Sequence, residues 1–252
     1  MGLVYKAKIV GQDKPQVVRV VKLTNIKDYV IEGILNEIRA QKDPELLPLT
    51  GFYYKQKSQT LYIVAPQRVS LHTYLFEASQ TLSPKEKSTL VLNLARCLSS
   101  IHSSQSPAAH GHLTPHNILL NPIDLSICIG DYGLRSLKKY CKLFHGYRNR
   151  SEWSAPEVWQ GADGDTEADV FSFGLMMWAV ETGIQPFAGK KMDEVGYMLI
   201  EQKLRPQIPP ATQANDLNLA QLIRACWHEV PERRPDFSTI VKILEQGVKF
   251  TQ

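Results

Sequence analysis

One octapeptide concentrates polar chemistry: His110-Gly111-His112-Leu113-Thr114-Pro115-His116-Asn117. An imidazole such as that of His112 can accept a proton near neutrality, because its reference pKa is about 6.5. It lacks the charge and the two-oxygen geometry of a carboxylate. Asn117 and, further on, Asp131 are hard oxygen donors of the kind Mg2+ prefers. Near the N-terminus, Lys22 ends an apolar run and Glu37 follows in a helical pattern. Such charges are commonly solvated surface groups, and only their setting gives them a role. Gly2 opens Gly2-Leu3-Val4-Tyr5-Lys6-Ala7, and a glycine there would let backbone N–H groups approach an anion without interference from a Cβ. The four cysteines, Cys97, Cys128, Cys141 and Cys226, show no C-x-x-C spacing and no matching run of histidines. That argues against zinc and against a disulfide scaffold, and for a reducing compartment.

The elements that must position these residues can be read from apolar periodicity. Val4–Val10 and Val17–Leu23 are valine- and isoleucine-rich runs around Gly11-Gln12-Asp13-Lys14-Pro15, which predicts a hairpin. Asp28–Gln41 carries Ile31, Ile34, Leu35 and Ile38 at helical spacing. Gly51–Lys57 and Gln59–Ala65 read as a second hairpin, with Leu61, Ile63 and Ala65 on one face. The character changes after Ala65, where Pro66-Gln67-Arg68 is a polar break. Pro84–His102 is predicted helical with Ser83 as N-cap. Asn117–Leu120 and Leu125–Ile129 are short strands. Asp169–Gly183 is apolar all round, as a buried helix is. Ala220–His228 and Phe237–Gln246 are helical by period. The expectation is an α+β fold: a small β-rich part over 1–65, a hinge at 66–68 and a larger helical part over 69–252.

Composition narrows the classes further. The 252 residues are 43% hydrophobic and 21% charged, ordinary values for a globular chain, so disordered and fibrous classes are excluded. The formal net charge of +4 is dispersed along the chain and forms no basic stripe of the kind a nucleic-acid protein carries. No apolar run reaches 18 residues, and neither a signal peptide nor a myristoylation pattern opens the chain, so no membrane insertion is expected.

The order of these motifs resembles a protein kinase domain over nearly the whole chain, closest to the tyrosine kinase and tyrosine kinase-like branch. Gly2-Leu3-Val4-Tyr5-Lys6-Ala7 resembles the end of the glycine-rich loop; its first two glycines and the strand before them are absent, which suggests that further sequence lies upstream. Arg19-Val20-Val21-Lys22 resembles the V-A-I-K strand. The resemblance makes Lys22 the cation on the nucleotide phosphates, Glu37 its partner and Val20 a residue against adenine. Leu61-Tyr62-Ile63-Val64-Ala65 resembles the strand into the hinge, with Ala65 as a small gatekeeper and the backbone of Pro66 and Arg68 toward adenine. Asp131-Tyr132-Gly133 resembles D-F-G. On this resemblance Asp131 and Asn117 would hold Mg2+ against ATP.

The same resemblance exposes what the octapeptide lacks. The family pattern is H-R-D-L-x-x-x-N, and here Gly111 stands for the arginine and His112 for the catalytic aspartate. Thr114 stands where the serine/threonine-kinase form has lysine. His112 loses the base that accepts the substrate proton, a role worth about 10²–10⁴-fold. Thr114 removes a cation from the transferring phosphoryl group, and Gly111 removes a phosphate-gripping side chain.

Structural roles follow from the same likeness. Trp153-Ser154-Ala155-Pro156-Glu157 resembles the A-P-E end of the activation segment. Glu157 is expected to pair with Arg234, and Asp169 to bond the backbone of the catalytic loop. Tyr140, Tyr147 and Ser151 are candidate phosphorylation sites.

Three readings compete. The chain is a pseudokinase that still binds ATP and serves as an allosteric or scaffolding module, with a protein partner, in a cytoplasmic signalling assembly. Alternatively it is an active kinase with an atypical loop, or a scaffold that takes no nucleotide. Asn117 and Asp131 favour the first over the third, and Gly111, His112 and Thr114 disfavour the second.

Overall fold

A computed structural model of the chain describes residues 3–8, 15–40, 44–78, 81–103, 109–131, 150–210, 212 and 217–248, with the side chains of 37–40 and 217 left aside. The chain divides into two units, one of residues 1–68 and 128–149 and one of residues 69–127 and 150–252. Residues 128–131, which include Asp131, therefore belong with the N-terminal unit and not with the rest of the larger part.

The first unit holds a four-stranded antiparallel sheet in the order β1-β2-β4-β3. Its strands are β1 (Leu3–Ala7), β2 (Gln16–Lys22), β3 (Gly51–Lys55) and β4 (Thr60–Pro66). A 3-10 turn, Gln56–Ser58, links the last two, so the second hairpin turns two residues earlier than its apolar pattern predicts. Helix α1 (Asp28–Ala40) covers one face of the sheet. Its Ile31, Ile34 and Leu35 are buried with Val21 and Leu23 beside β2's end and with Leu61 and Ile63 of β4. Pleating sends alternate side chains to opposite faces, which is why Leu61, Ile63 and Ala65 are buried while Tyr62 and Val64 are only partly so. On the other face Tyr53 and Tyr62 meet as a cross-strand pair, ring centroids 6.1 Å apart.

The second unit is mainly helical. Strand β5 (Val69–Ser70) pairs antiparallel with β6 (Ile118–Leu120). Between them lie a π-helical turn, Thr73–Glu77, and helix α2 (Pro84–His102). Ser83 caps α2 in a full capping box: its hydroxyl accepts from Glu86 N, and Glu86 reaches back to Ser83 N at 2.8 Å. Strand β7 (Ile127–Ile129) runs out of this unit into the first. Further α-helices among the described residues are α3 (Pro156–Gln160), α4 (Thr166–Thr182), α5 (Met192–Ile200), α6 (Leu217–Cys226) and α7 (Phe237–Glu245).

Helix α4 is the core of this unit. Every residue from Ala168 to Glu181 is buried, with α2 and α6 against it. Polar groups buried there have partners, as they must. Lys87 of α2 donates to the Glu181 carbonyl at 2.9 Å, and Thr212 donates to the Glu181 carboxylate at 2.8 Å.

Candidate functional site

The octapeptide forms an ordered loop in the second unit. Asp169, on the first turn of α4 and 1% exposed, accepts the backbone N–H groups of His110 at 2.7 Å and Gly111 at 2.9 Å. The His102 ring nitrogen Nε2 lies 3.0 Å from the same carboxylate. Gly111 has φ +66, a conformation that costs a side-chain-bearing residue more than glycine. His112 N donates to His110 Nδ1 at 3.3 Å. Asn117 closes the loop: its N donates to the Thr114 carbonyl at 2.9 Å and its side-chain Nδ2 to the His112 carbonyl at 3.0 Å. The amide nitrogen is thus committed inside the loop, and Oδ1 is the donor a cation would take. Thr114 is buried, at 6% exposure.

A histidine pair borders this loop. His116 stacks on His72 at a centroid distance of 4.0 Å, and His72 N donates to the Pro115 carbonyl at 3.1 Å. Burial, then the neighbouring His72, lowers the pKa of His116. Glu77 lies 3.2 Å from His72 Nδ1.

The pair expected between Glu157 and Arg234 is present. Arg234, 6% exposed, grips Glu157 with both terminal nitrogens, at 2.6 and 2.9 Å. The same guanidinium donates to the Glu167 and His228 carbonyls, both at 2.9 Å, and lies 5.1 Å over the Phe171 ring. A buried charge is tolerable when paired and fully bonded in this way. Ser151 lies in a turn ahead of α3, where its Oγ accepts from Trp153 N at 3.3 Å. Tyr140 and Tyr147 lie outside the described residues, as do Gly2 and the Tyr132-Gly133 part of the D-F-G-like tripeptide.

In the first unit the sheet register sorts the candidate residues. Val4 stands opposite Arg19, Lys6 opposite Val17, and Val17 opposite Ala65. Directly opposed residues share a face, as do residues two apart. Val4, Val17, Arg19 and Ala65 therefore belong to one face, the face on which Val21, Leu61 and Ile63 are buried. Val20 and Lys22 belong to the other. Lys22 stands opposite Thr60 and is exposed. The expectation that Val20 and Lys22 share a site with Val4 and Ala65 is thus corrected. Lys22 is an odd number of residues from Arg19, so the pleat turns it away. Glu37 lies on α1, and its side chain is outside the described residues.

Arg19, not singled out by its motif, lies on the face that carries Val4 and Ala65. Its Nη1 donates to Asp131 Oδ2 in a part-buried ion pair. Asp131 is set in place by backbone bonds two residues earlier. Ile129 N donates to Glu45 O at 2.8 Å, and Leu47 N donates to Ile129 O at 2.9 Å, a short parallel bridge inside the first unit. Asp131 itself has φ +62, a left-handed conformation that aspartate adopts more readily than most residues. Its carboxylate is therefore engaged by a guanidinium, where a free metal ligand was expected. Among the described residues no group of three or more His, Cys, Asp or Glu could hold a metal ion. Finding Arg19 needs the strand register, which sets Val17 opposite Ala65 and so puts Arg19, two residues on, on the same face.

Behind the hinge, Ala65 is 4% exposed, and Gln67 N donates to the Pro15 carbonyl at 3.0 Å. Pro66 ends β4 opposite Gln16, and Arg68 is exposed.

The family described as protein tyrosine and serine/threonine kinase matches residues 1–244. The serine/threonine/tyrosine-protein kinase HT1 of Arabidopsis thaliana is 29% identical over 243 residues, which is 96% of this chain and 56% of that protein. The probable serine/threonine-protein kinase drkC of Dictyostelium discoideum is 31% identical over 179 residues, 70% of this chain and 23% of that one. The mitogen-activated protein kinase kinase kinase 7 of Drosophila melanogaster is 26% identical over 237 residues, 90% and 34% respectively. This chain thus spans 56% or less of the length of each of these relatives. No described helix is long and apolar enough to cross a membrane.

Proposed function

The chain belongs to the protein tyrosine and serine/threonine kinase family, and from that premise we propose a pseudokinase domain that keeps the kinase architecture, binds ATP and has lost efficient phosphotransfer. The observation that carries this reading is His112. The loop around it is held by Asp169 and Asn117, yet the base position has an imidazole. A neutral imidazole neither carries the carboxylate's charge nor holds a hydroxyl through two oxygens. The missing general base alone accounts for a loss of about 10²–10⁴-fold. Gly111 and Thr114 compound it by removing positive charge from the region where phosphoryl transfer is stabilised electrostatically.

Family members generally bind ATP with Mg2+. For the nucleotide, the residues of the first unit are suitable: Val4, Val17 and Ala65 supply apolar surface on one sheet face, and Arg19 supplies a cation on the same face. For a divalent cation they are not suitable as they stand, because the Asp131 carboxylate is paired with Arg19. A nucleotide bound without turnover stabilises the conformation that binds it, by the ratio of its concentration to its Kd. That suits an allosteric or scaffolding module acting with a protein partner in a cytoplasmic signalling assembly.

The test is phosphotransfer. The domain is incubated with Mg2+-ATP and candidate substrate proteins, and added phosphate is sought by mass spectrometry. The expected result is no phosphate above that of an Asp131→Asn control. Phosphate on the wild type that disappears in the control would establish an active kinase and sink the proposal.

A further inference from the structure

We propose that Arg19, and not Lys22, is the cation of the nucleotide site, and that its ion pair with Asp131 keeps divalent cations off that carboxylate, so the site takes nucleotide phosphates without metal. The ligand in this proposal rests on the nucleotide-binding reading above. The residues rest on three observations within the first unit.

Register comes first. Arg19 stands opposite Val4 on β1 and Ile63 on β4, on the face that carries Ala65 two residues further along β4. Lys22 is exposed on the opposite face. Contact comes second. Arg19 Nη1 donates to Asp131 Oδ2, with the two side chains 22% and 9% exposed. Placement comes third. The bonds of Ile129 to Glu45 and Leu47 bring Asp131 to this position through the backbone.

The chemistry follows from the two groups. Mg2+ sheds its water reluctantly and is held by one or two carboxylates in a strict octahedron. A carboxylate already neutralised by arginine offers it neither net charge nor an uncontested oxygen. The metal must first break the pair, and that leaves a part-buried guanidinium beside a dication. A phosphate faces no such obstacle. Arginine carries five N–H donors in a planar fork, a geometry that matches the oxygens of a phosphate. The positive charge that a metal brings to the phosphates of other family members is here supplied by a side chain.

The experiment uses the chain as it is, with two readouts. Nucleotide binding is followed as the rise in melting temperature with millimolar ATP, in EDTA and in Mg2+. Metal binding is followed with Mn2+ as probe, by the loss of its free-ion paramagnetic resonance signal. Wild type is expected to show the same ATP shift in EDTA as in Mg2+. Lys22→Gln keeps that shift, and Arg19→Gln weakens ATP binding in EDTA by about tenfold or more. Wild type is expected to bind no more Mn2+ than Asp131→Asn. Arg19→Gln gains a Mn2+ site, and adding Asp131→Asn to it removes that site.

A Mn2+ site in wild type that Asp131→Asn abolishes overturns the proposal. So does an ATP shift lost in Lys22→Gln and kept in Arg19→Gln, or an Arg19→Gln protein that binds no more Mn2+ than wild type. If Arg19→Gln does not fold, the comparison of wild type with Asp131→Asn still decides the metal question. Absence of any ATP shift, in every buffer and variant, defeats the nucleotide-binding reading and with it Arg19's role toward phosphate. The Mn2+ comparison then separately decides whether Arg19 blocks Asp131.

Discussion

The Asp169 carboxylate binds two backbone N–H groups, those of His110 and Gly111, at a depth where no water replaces it. Asp169→Ala orphans both donors, and each unsatisfied buried group costs about 1–3 kcal/mol. The expected loss is ~3–5 kcal/mol in urea unfolding; a loss under ~1 kcal/mol would contradict the geometry. Arg234 makes an independent case. Arg234→Ala leaves the Glu157 carboxylate partly buried without its partner, a change worth about 3–5 kcal/mol. Arg234→Lys is expected to recover little, because a lysine cannot reproduce the two-pronged grip or reach the Glu167 and His228 carbonyls together. The melting temperatures of the two variants check this, and an unchanged value for Arg234→Ala would contradict it.

His116 carries a pH prediction at the same scale. Its folded pKa lies below the ordinary histidine value, through burial first and the adjoining His72 second, against weaker opposing pulls from Glu152 and Glu77. The unfolded chain then binds the proton more readily than the folded one. The contribution is complete above the unfolded value of about 6.5. It is lost as pH falls from there toward the lower folded value. Denaturant unfolding of wild type across that window should show stability rising with pH, and His116→Gln should flatten the rise. An equal slope in both proteins would refute the assignment.

At the scale of elements, local signals located most helices because their ends are marked. Ser83 and Pro84 announce the start of α2, and the capping box is formed. Ser83→Ala is expected to cost about 1 kcal/mol. Helix α4 begins at Thr166, three residues ahead of its apolar run, because Asp165 caps it and accepts from Ala168 N at 2.9 Å. Its first turn is polar and gives periodicity nothing to detect. The short α3 and the helix α5 were not legible, since five residues hold too few turns for a period and α5 carries no strong cap signal. Packing between α4 and α6 depends on a missing side chain. A Cβ on Gly174 would stand 2.8 Å from the Cys226 Cβ and 3.2 Å from Trp227 N. Gly174→Ala is therefore expected to destabilise by ~1–3 kcal/mol through overpacking, despite alanine's better helix propensity. Equal or greater stability would mean that the two helices can separate at low cost.

On the scale of the whole molecule, the two units differ in how deeply they bury their elements. Helix α4 is enclosed along almost its entire length, whereas β1 is an edge strand with Leu3, Val4 and Tyr5 each more than half exposed. Amide hydrogen exchange should therefore find its slowest protons in α4 and fast exchange in β1. Residue identities alone were enough for the family and for the departures from its pattern at Gly111, His112 and Thr114. Those readings concern which side chain occupies a position within one stretch of chain. The choice between Arg19 and Lys22 was of another kind. Both are cations on one strand, three residues apart, and the motif read along the sequence singles out Lys22. An odd separation on a pleated strand sends them to opposite faces. Which face meets Asp131 is settled by the pairing of β2 with β1 and β4 and by the backbone bonds of Ile129, contacts between residues far apart in the chain.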